Sequence, residues 1–576
     1  MTSDTGDATP PVDPTGPGDK TGTGTASSGR VGRHTMVMAS GTLVSRALGL
    51  VRSMLLFAAI GLTGSVAAEA YGVANKLPNV MFAVLAAGVL NSALVPQIVR
   101  SFQADRVRTV HRILTLGGVG MLAVTTLLTV TAGFWVRVYS DGWGPEQTAL
   151  ATAFALWCIP QLLFYGLYTL FGQVLNAREQ FGPFMWAPVA NNVVAIAGLA
   201  AFLVIFGPYA LDESASVQAI VDEWTTGKIL LVAAVATLGI AVQALVLIPP
   251  MIRGGYRWRW VWRGPKGELS TVTRVAGWAL GAVLVEQLAV LLITRVATAA
   301  QAAAPTDPGV AGVLAYDAAL GIFLVPHSLV SISLMTVLFT QMSRHAALGD
   351  VSRVRGVMSE GVRMVGVFTM LASVTMAVTA PHLVRVLAPT VQAESVEAVA
   401  WVLRLMVIGL VPLGASLMIR QAYFALEDGR TVFLIHIPMA LAWLAVAYGI
   451  QAFTEPQWWV RGIALGLAAT NTVAVVLRLW GLRRRLAGVD GRRILVTHAK
   501  ALVAAIAATG VGVALMMLAP RTYAEEGAQA VAVSGLLTIG IAGAMAVLYG
   551  VASRLLRVEE ANAVVRAVNR RLRRVR

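Results

Sequence analysis

The chain has 576 residues, 57% of them hydrophobic and only 13% charged, with a net charge of +16 and a single cysteine, Cys158. Soluble proteins carry about 25% charged residues, so this balance describes a polytopic membrane protein. One cysteine excludes an intrachain disulfide, and no Cys/His grouping at metal-ligand spacing points to zinc or redox chemistry.

The first thirty residues, including TPPVDPTGPGDKTGTGTASSGR, are rich in Gly, Pro, Ser and Thr and read as a disordered polar tail. The apolar run that follows starts too late and runs too long for a cleaved signal. A spanning helix needs about 20 mostly apolar residues. On that template fourteen spans are expected, centred on Arg46, Val84, Ala123, Leu162, Val194, Leu238, Leu284, Leu329, Leu371, Leu410, Leu441, Ala468, Ala508 and Ile539. The runs are continuous, without the alternation of a membrane β-barrel. The expected fold class is therefore an all-α polytopic membrane protein.

The loops carry an orientation signal. RSFQADRVRTVHR, RGGYRWRWVWRGPK, SRHAALGDVSRVR, GLRRRLAGVDGRR and the terminal RRLRRVR all follow even-numbered spans. TGSVAAE, YSDGWGPEQ, LDESASVQAIVDEW and QAAAPTDPG follow odd-numbered ones and are poor in Lys and Arg. Basic loops stay in the cytoplasm, which puts both termini there and accounts for the net charge without a nucleic-acid partner.

The chain also repeats. WVRV at Trp135–Val138 returns as LVRV at Leu383–Val386, and QVLNARE at Gln173–Glu179 as QAYFALE at Gln421–Glu427, each 248 residues later. VPQIVR at Val95–Arg100 matches FTQMSR at Phe339–Arg344 at nearly the same offset. Two six-helix lobes are expected, over residues 31–265 and 266–490, related by an axis along the membrane normal. Residues 491–557 hold an added pair of spans, and 558–576 a basic tail.

Charges inside spans are costly, about 2.5–3.5 kcal/mol each on insertion scales, so each needs a reason. Arg46 lies mid-span and Arg52 six residues on, roughly 240° around the helix. Glu69, Lys76, Pro78 and Asn79 follow in EAYGVANKLPN, then Glu286 and Arg295 in the seventh span, Asp317 in the eighth, and Arg404 and Arg420 in the tenth. Arg420 is expected to snorkel to the cytoplasmic surface, and Arg404 outward. Glu286 with Arg295 reads as a structural pair. Arg46, Arg52 and Lys76 read as cavity charges. Glu69, near the outer rim, reads equally as an interface residue or an ion-pair partner. Pro78 and Pro326 are expected to bend or break their helices beside protein or a watery cavity. Arginine's planar fork favours phosphate and carboxylate, so the substrate is expected to be anionic. No phosphate-binding loop occurs, which leaves an ion gradient, the membrane potential or substrate flow as the energy source, with no cofactor.

SRALGLVR, AAEAYGVANKLPN and ALVPQIVRSF together resemble the MurJ (MviN) family of the MOP superfamily, the lipid II flippases of bacterial cell-wall synthesis. The resemblance covers residues from about 31 onward. It implies that Arg46, Arg52, Lys76 and Glu69 line a cationic cavity that takes the pyrophosphate of lipid II. It further implies that the last two spans form a groove for the polyprenyl tail, in a bacterial cytoplasmic membrane and in contact with cell-wall synthesis proteins. The chain departs from the family at Phe82, Ala83 and Ala87-Gly88, where charged residues are common, and at Gly321, where an arginine is common. Arg295 is the residue expected to supply the missing charge. Two other readings remain: a MOP-type exporter of another lipid-linked glycan or small molecule, and a non-transporting cell-wall scaffold.

Overall fold

The computed structural model describes residues 24–87, 97–98, 101–102, 106–263 and 274–561, with the side chains of 24–39 and 274–276 left aside. Most of the 1–30 tail, the 562–576 end of the basic tail, and Gly88 lie outside the described residues. The described chain is helical throughout, without a strand.

Thirteen helices among the described residues are long and apolar enough to cross a bilayer. With the intervening Val66–Leu85 they are numbered as spans. The first lobe holds α1 (Gly24–Ile60), α2 (Val66–Leu85), α3 (Val107–Val130), α4 (Pro145–Ala177), α5 (Phe181–Phe206) and α6 (Thr226–Arg253). The second holds α7 (Arg274–Ala303), α8 (Val313–Ala347), α9 (Val351–Leu387), α10 (Ala393–Ala425), α11 (Gly429–Phe453) and α12 (Pro456–Arg485). The chain ends in α13 (Gly491–Leu518) and α14 (Ala528–Leu555). α2 is the shortfall between thirteen and the expected fourteen: it carries Glu69 and Lys76 and runs over 66–85, rather than being centred on Val84. Helix α1 begins at Gly24, inside the segment expected to be disordered.

Local chemistry fixes several starts. Ser65 caps α2 by accepting from the Ala68 N–H, Asp350 caps α9 through Arg353, and Asp428 caps α11 through Thr431. Each side-chain oxygen satisfies a backbone donor that the helix itself leaves unpaired. The prolines behave differently from one another. Helix α8 changes to a π turn over His327–Ser331 directly after Pro326. Helix α2 runs through Pro78 without a break. One missing N–H removes a single ladder bond, and the Asn79 amide adds one back to the Asn75 carbonyl at 2.7 Å.

The two lobes pack alike. α1 lies on α5 as α7 lies on α11, and α5 on α6 as α11 on α12. α4 and α10 end in the same turn: Glu179 and Glu427 both take positive φ, 60° and 57°. In each, the next residue's N–H returns to a carbonyl five positions back, Gln180 to Leu175 and Asp428 to Tyr423. These are the two ends that the QVLNARE and QAYFALE segments mark.

Near the basic loops each lobe has its own apolar core, around Val110, Leu170 and Met251 in the first and Met342, Met358 and Met418 in the second. On the opposite face a single core crosses between lobes, with Ile60, Leu62 and Tyr71 against Val296, Val313 and Val399. Among the described residues the lobes therefore share a core on one face and keep separate cores on the other.

α13 and α14 pack on each other and on α9. Arg363 of α9 and Glu560, just past α14, form an ion pair at 2.5 Å with each side chain only 6% exposed. Removing one partner of such a pair strands a buried charge, at about 3–5 kcal/mol. Glu560→Ala is therefore expected to lower the thermal midpoint of the detergent-purified protein sharply. The apolar pair Arg363→Met with Glu560→Met is expected to recover most of the loss.

Candidate functional site

The fused face is held by polar contacts that all run between lobes. Glu69, 2% exposed, presents its carboxylate to the first turn of α8, accepting from the Val313 N–H at 2.7 Å and the Leu314 N–H at 3.3 Å. A helix N-terminus offers unpaired donors and partial positive charge, so a carboxylate there is doubly favoured. Gly312 makes room for it, because a Cβ at that position would sit 2.2 Å from the carboxylate. Thr63 donates to the Pro308 carbonyl at 2.7 Å, and its oxygen accepts from the Ser395 hydroxyl at 2.6 Å.

From α7, Arg295 donates to the carbonyls of Val138 and Ser140 and pairs with Asp141 at 3.2 Å. Thr298 accepts from the Asp141 N–H, and Gln301 accepts from Gln147. The deepest rung is Lys76 with Asp317 at 2.9 Å. Lys76 lies seven residues into α2 from Glu69, about 10 Å further from the fused face. Asp317 is more exposed than Lys76, 37% against 13%, so this pair borders open space.

The first lobe also offers two cations. Arg46 is exposed, and no ion pair or hydrogen bond joins it to a described residue. Arg52 is half-buried, with its charge acting on Tyr71, Tyr165 and Cys158. Tyr165 donates to Gln161, whose amide reaches Asn75 at 3.4 Å. Phe82 sets its ring centroid 5.4 Å from that of Tyr165, the two rings tilted by 41°. Gly321 faces open space, with nothing within 4 Å of a built Cβ.

Several expected roles change. Arg295 points to the 138–141 turn of the other lobe, where Asp141 and two carbonyls take up its donors. Glu286 is not its partner; it faces Arg420 and Arg478. Arg420 does not snorkel but lines a cavity inside the second lobe. Arg404 pairs with Glu397 over the Trp401 ring. Glu69 is an interface residue with both oxygens engaged, and in this conformation it is closed to a ligand. Sequence reasoning singled out Arg295 but missed Thr298 and Gln301, although the three recur every third residue, the spacing of one helix face. Arg478 was lost among the arginines that lead into GLRRR.

The model of the family described as lipid II flippase MurJ matches residues 58–527. The chain belongs to this family. It is 27% identical over 496 residues to a probable lipid II flippase MurJ of Haemophilus influenzae, covering 81% of this chain and 89% of that one. It is 26% identical over 471 residues to the corresponding Synechocystis protein, covering 79% and 82%. Among solved structures it resembles a lipid II flippase MurJ in an inward closed conformation, with TM-score 0.66, 15% identity, and coverage of 90% of this chain and 99% of that one. It also resembles an inward-facing multidrug resistance MATE transporter of the MOP superfamily, at TM-score 0.60, 15% identity, and coverage of 79% and 99%. The chain is thus a multi-pass membrane protein of the MOP architecture.

The latch has a direct test. Glu69→Ala leaves two N–H groups of α8 without their charged acceptor, worth about 2 kcal/mol. That corresponds to roughly a thirtyfold rise in the population with the fused face open. Val310 is 4% exposed on that face. A cysteine placed there is expected to react with a maleimide correspondingly faster in Glu69→Ala than in the Glu69 background. Equal rates would mean that the carboxylate does not hold the lobes together.

Proposed function

We propose that this member of the lipid II flippase family moves a polyprenyl-pyrophosphate-linked peptidoglycan precursor from the cytoplasmic to the outer leaflet by alternating access. The observation that carries the reading is the asymmetry of the lobes. They share one core and a ladder of polar latches on one face, and keep separate cores beside the basic loops. With basic loops in the cytoplasm, the separated side faces the cytoplasm, where such a precursor is made. Both termini lie there too.

In this reading the pyrophosphate enters between the lobes and meets Arg46, whose charge has no partner among the described residues, and then Arg52. Guanidinium binds phosphate oxygens in pairs, and desolvation strengthens each contact. Lys76 is the hinge of the cycle. It is held by Asp317, which belongs to the other lobe, and a phosphate arriving beside it competes with that carboxylate for the ammonium. Loss of this deepest rung leaves Glu69 and the α7 contacts to open in turn. Closing the cytoplasmic side over the neutralised headgroup then carries it outward. The lipid tail stays in the bilayer, along α13 and α14.

The energy source in this reading is the membrane potential or an ion gradient. One charge crossing 100 mV is worth about 2.3 kcal/mol, comparable to a single latch. A cationic cleft is poorly suited to the cationic drugs of many exporters, and it gives the mechanism a residue to lose.

The experiment is rescue of a bacterium depleted of its own lipid II flippase, with membrane expression checked. The wild-type chain is expected to rescue, and Arg46→Ala to fail at equal expression. Rescue by both would take Arg46 out of the mechanism, and failure of a well-expressed wild type would point to another lipid-linked substrate or a scaffold. Arg295→Ala is expected to reduce rescue only partly, because its charge serves the latch.

A further inference from the structure

Inside the second lobe, toward the basic loops, α7, α8, α10, α11 and α12 line a half-open cavity of about 180 Å³. Its charged lining is Glu286, Arg420 and Arg478. Arg478 is 2% exposed. One of its terminal nitrogens donates to both the carbonyl and the hydroxyl of Ser416, and the other approaches the Met439 sulfur at 3.6 Å. Its Nε is buried with no partner among the described residues. Arg420, from the next turns of the same helix as Ser416, likewise leaves a buried Nε unpartnered. It makes no hydrogen bond or ion pair with a described residue.

The π turn after Pro326 adds a third orphan, the Nδ1 of His327. Such turns interrupt helices chiefly where a side chain is needed in an unusual place. His436 faces the same space and spends its Nδ1 on the Val432 carbonyl at 2.7 Å.

The charges do not balance. Two guanidiniums against one carboxylate leave one positive charge, and a proton on either histidine would add to it. An uncompensated charge in apolar surroundings is expensive, and so is each buried donor without an acceptor. One particle can relieve both. We propose that this cavity is a binding site for one small monovalent anion of the halide class, held between Arg420 and Arg478 with His327 beside it. The space admits an ion and a few waters, each water occupying about 30 Å³ of liquid. A pyrophosphate carrying sugars is far larger. The site is therefore distinct from the cleft between lobes and does not depend on what that cleft transports.

Five helices of the lobe converge on this charge, so an ion there would set how tightly they pack. The same helices carry the α7 and α8 contacts of the latch. Anion occupancy thus fixes the shape of the half against which the first lobe closes.

The test uses the full-length protein purified in detergent in sodium gluconate, with chloride replacing gluconate at constant ionic strength. The readouts are the thermal midpoint and the fluorescence of tryptophan, because Trp443 lines the cavity. A saturable rise in midpoint with chloride is expected. Arg420→Gln is expected to abolish it and Arg420→Lys to keep much of it. Glu286→Gln is expected to tighten the apparent affinity on the order of tenfold, by removing a neighbouring negative charge. Opposite signs at Arg420 and Glu286 separate a bound ion from a general salt effect. If Arg420→Gln does not fold, Arg420→Lys and Glu286→Gln carry the test alone. A linear, unsaturable response, or one unchanged in Arg420→Gln, would overturn the site. So would a response lost in Arg46→Ala, because the ion would then belong to the cleft. Failure of the chain to rescue a flippase-depleted strain leaves the chloride result untouched.

Discussion

A carboxylate in apolar surroundings must find donors, and Glu69 finds them on the other lobe. The Val313 and Leu314 N–H groups belong to the start of α8, where a helix has no internal acceptors to offer them. Each side of this contact is unsatisfied without the other, so the two lobes meet at that point. Gly312 is the permissive element, since any side chain there would occupy the space of the carboxylate. Around this contact one apolar core forms across both lobes, and the ladder from Thr63 to Gln301 closes around it. Separation near the basic loops is the geometric counterpart: two rigid lobes joined at one end diverge at the other.

The buried arginines sort by their acceptors. Arg385 is fully buried, yet it donates to the carbonyls of Tyr523, Ala388, Pro389 and Val391. It closes the end of α9 and ties it to the α13–α14 connection, a structural task met almost entirely by protein atoms. Arg363 is neutralised by Glu560. Arg46, on the exposed side, has no hydrogen-bond or ion-pair partner among the described residues, and Arg420 shares the one carboxylate of Glu286 with Arg478. A guanidinium kept in a span without full neutralisation costs stability, and a ligand explains its retention. The free cations mark two places, one between the lobes and one within the second.

The latches differ in depth, and depth gives them an order. Lys76–Asp317 borders the open space, and Glu69 lies about 10 Å behind it. An anion arriving from the basic-loop side reaches the Lys76 ammonium before any other latch. A charge pair that is partly exposed gains little from its own attraction, so it yields readily to a multivalent competitor. The neutral and helix-capping contacts behind it are insensitive to such a competitor.

Composition, the spacing of apolar runs and the alternation of basic loops determined much by themselves: an all-helical membrane protein, its spans, and the internal repeat that reappears in the matched turns at Glu179 and Glu427. These features are local, because a bilayer judges a segment by its own twenty residues. The candidate charges were also legible, since any charge within a span stands out. Their partners were not. Arg295 met Asp141 rather than Glu286, Lys76 met Asp317, and Arg420 turned inward toward Arg478 instead of reaching the surface. Each joins residues far apart in the chain, at contacts between helices that no helical period encodes. Only the tertiary structure decides which buried charge is satisfied and which is left for a ligand, because satisfaction depends on donors and acceptors brought together by packing.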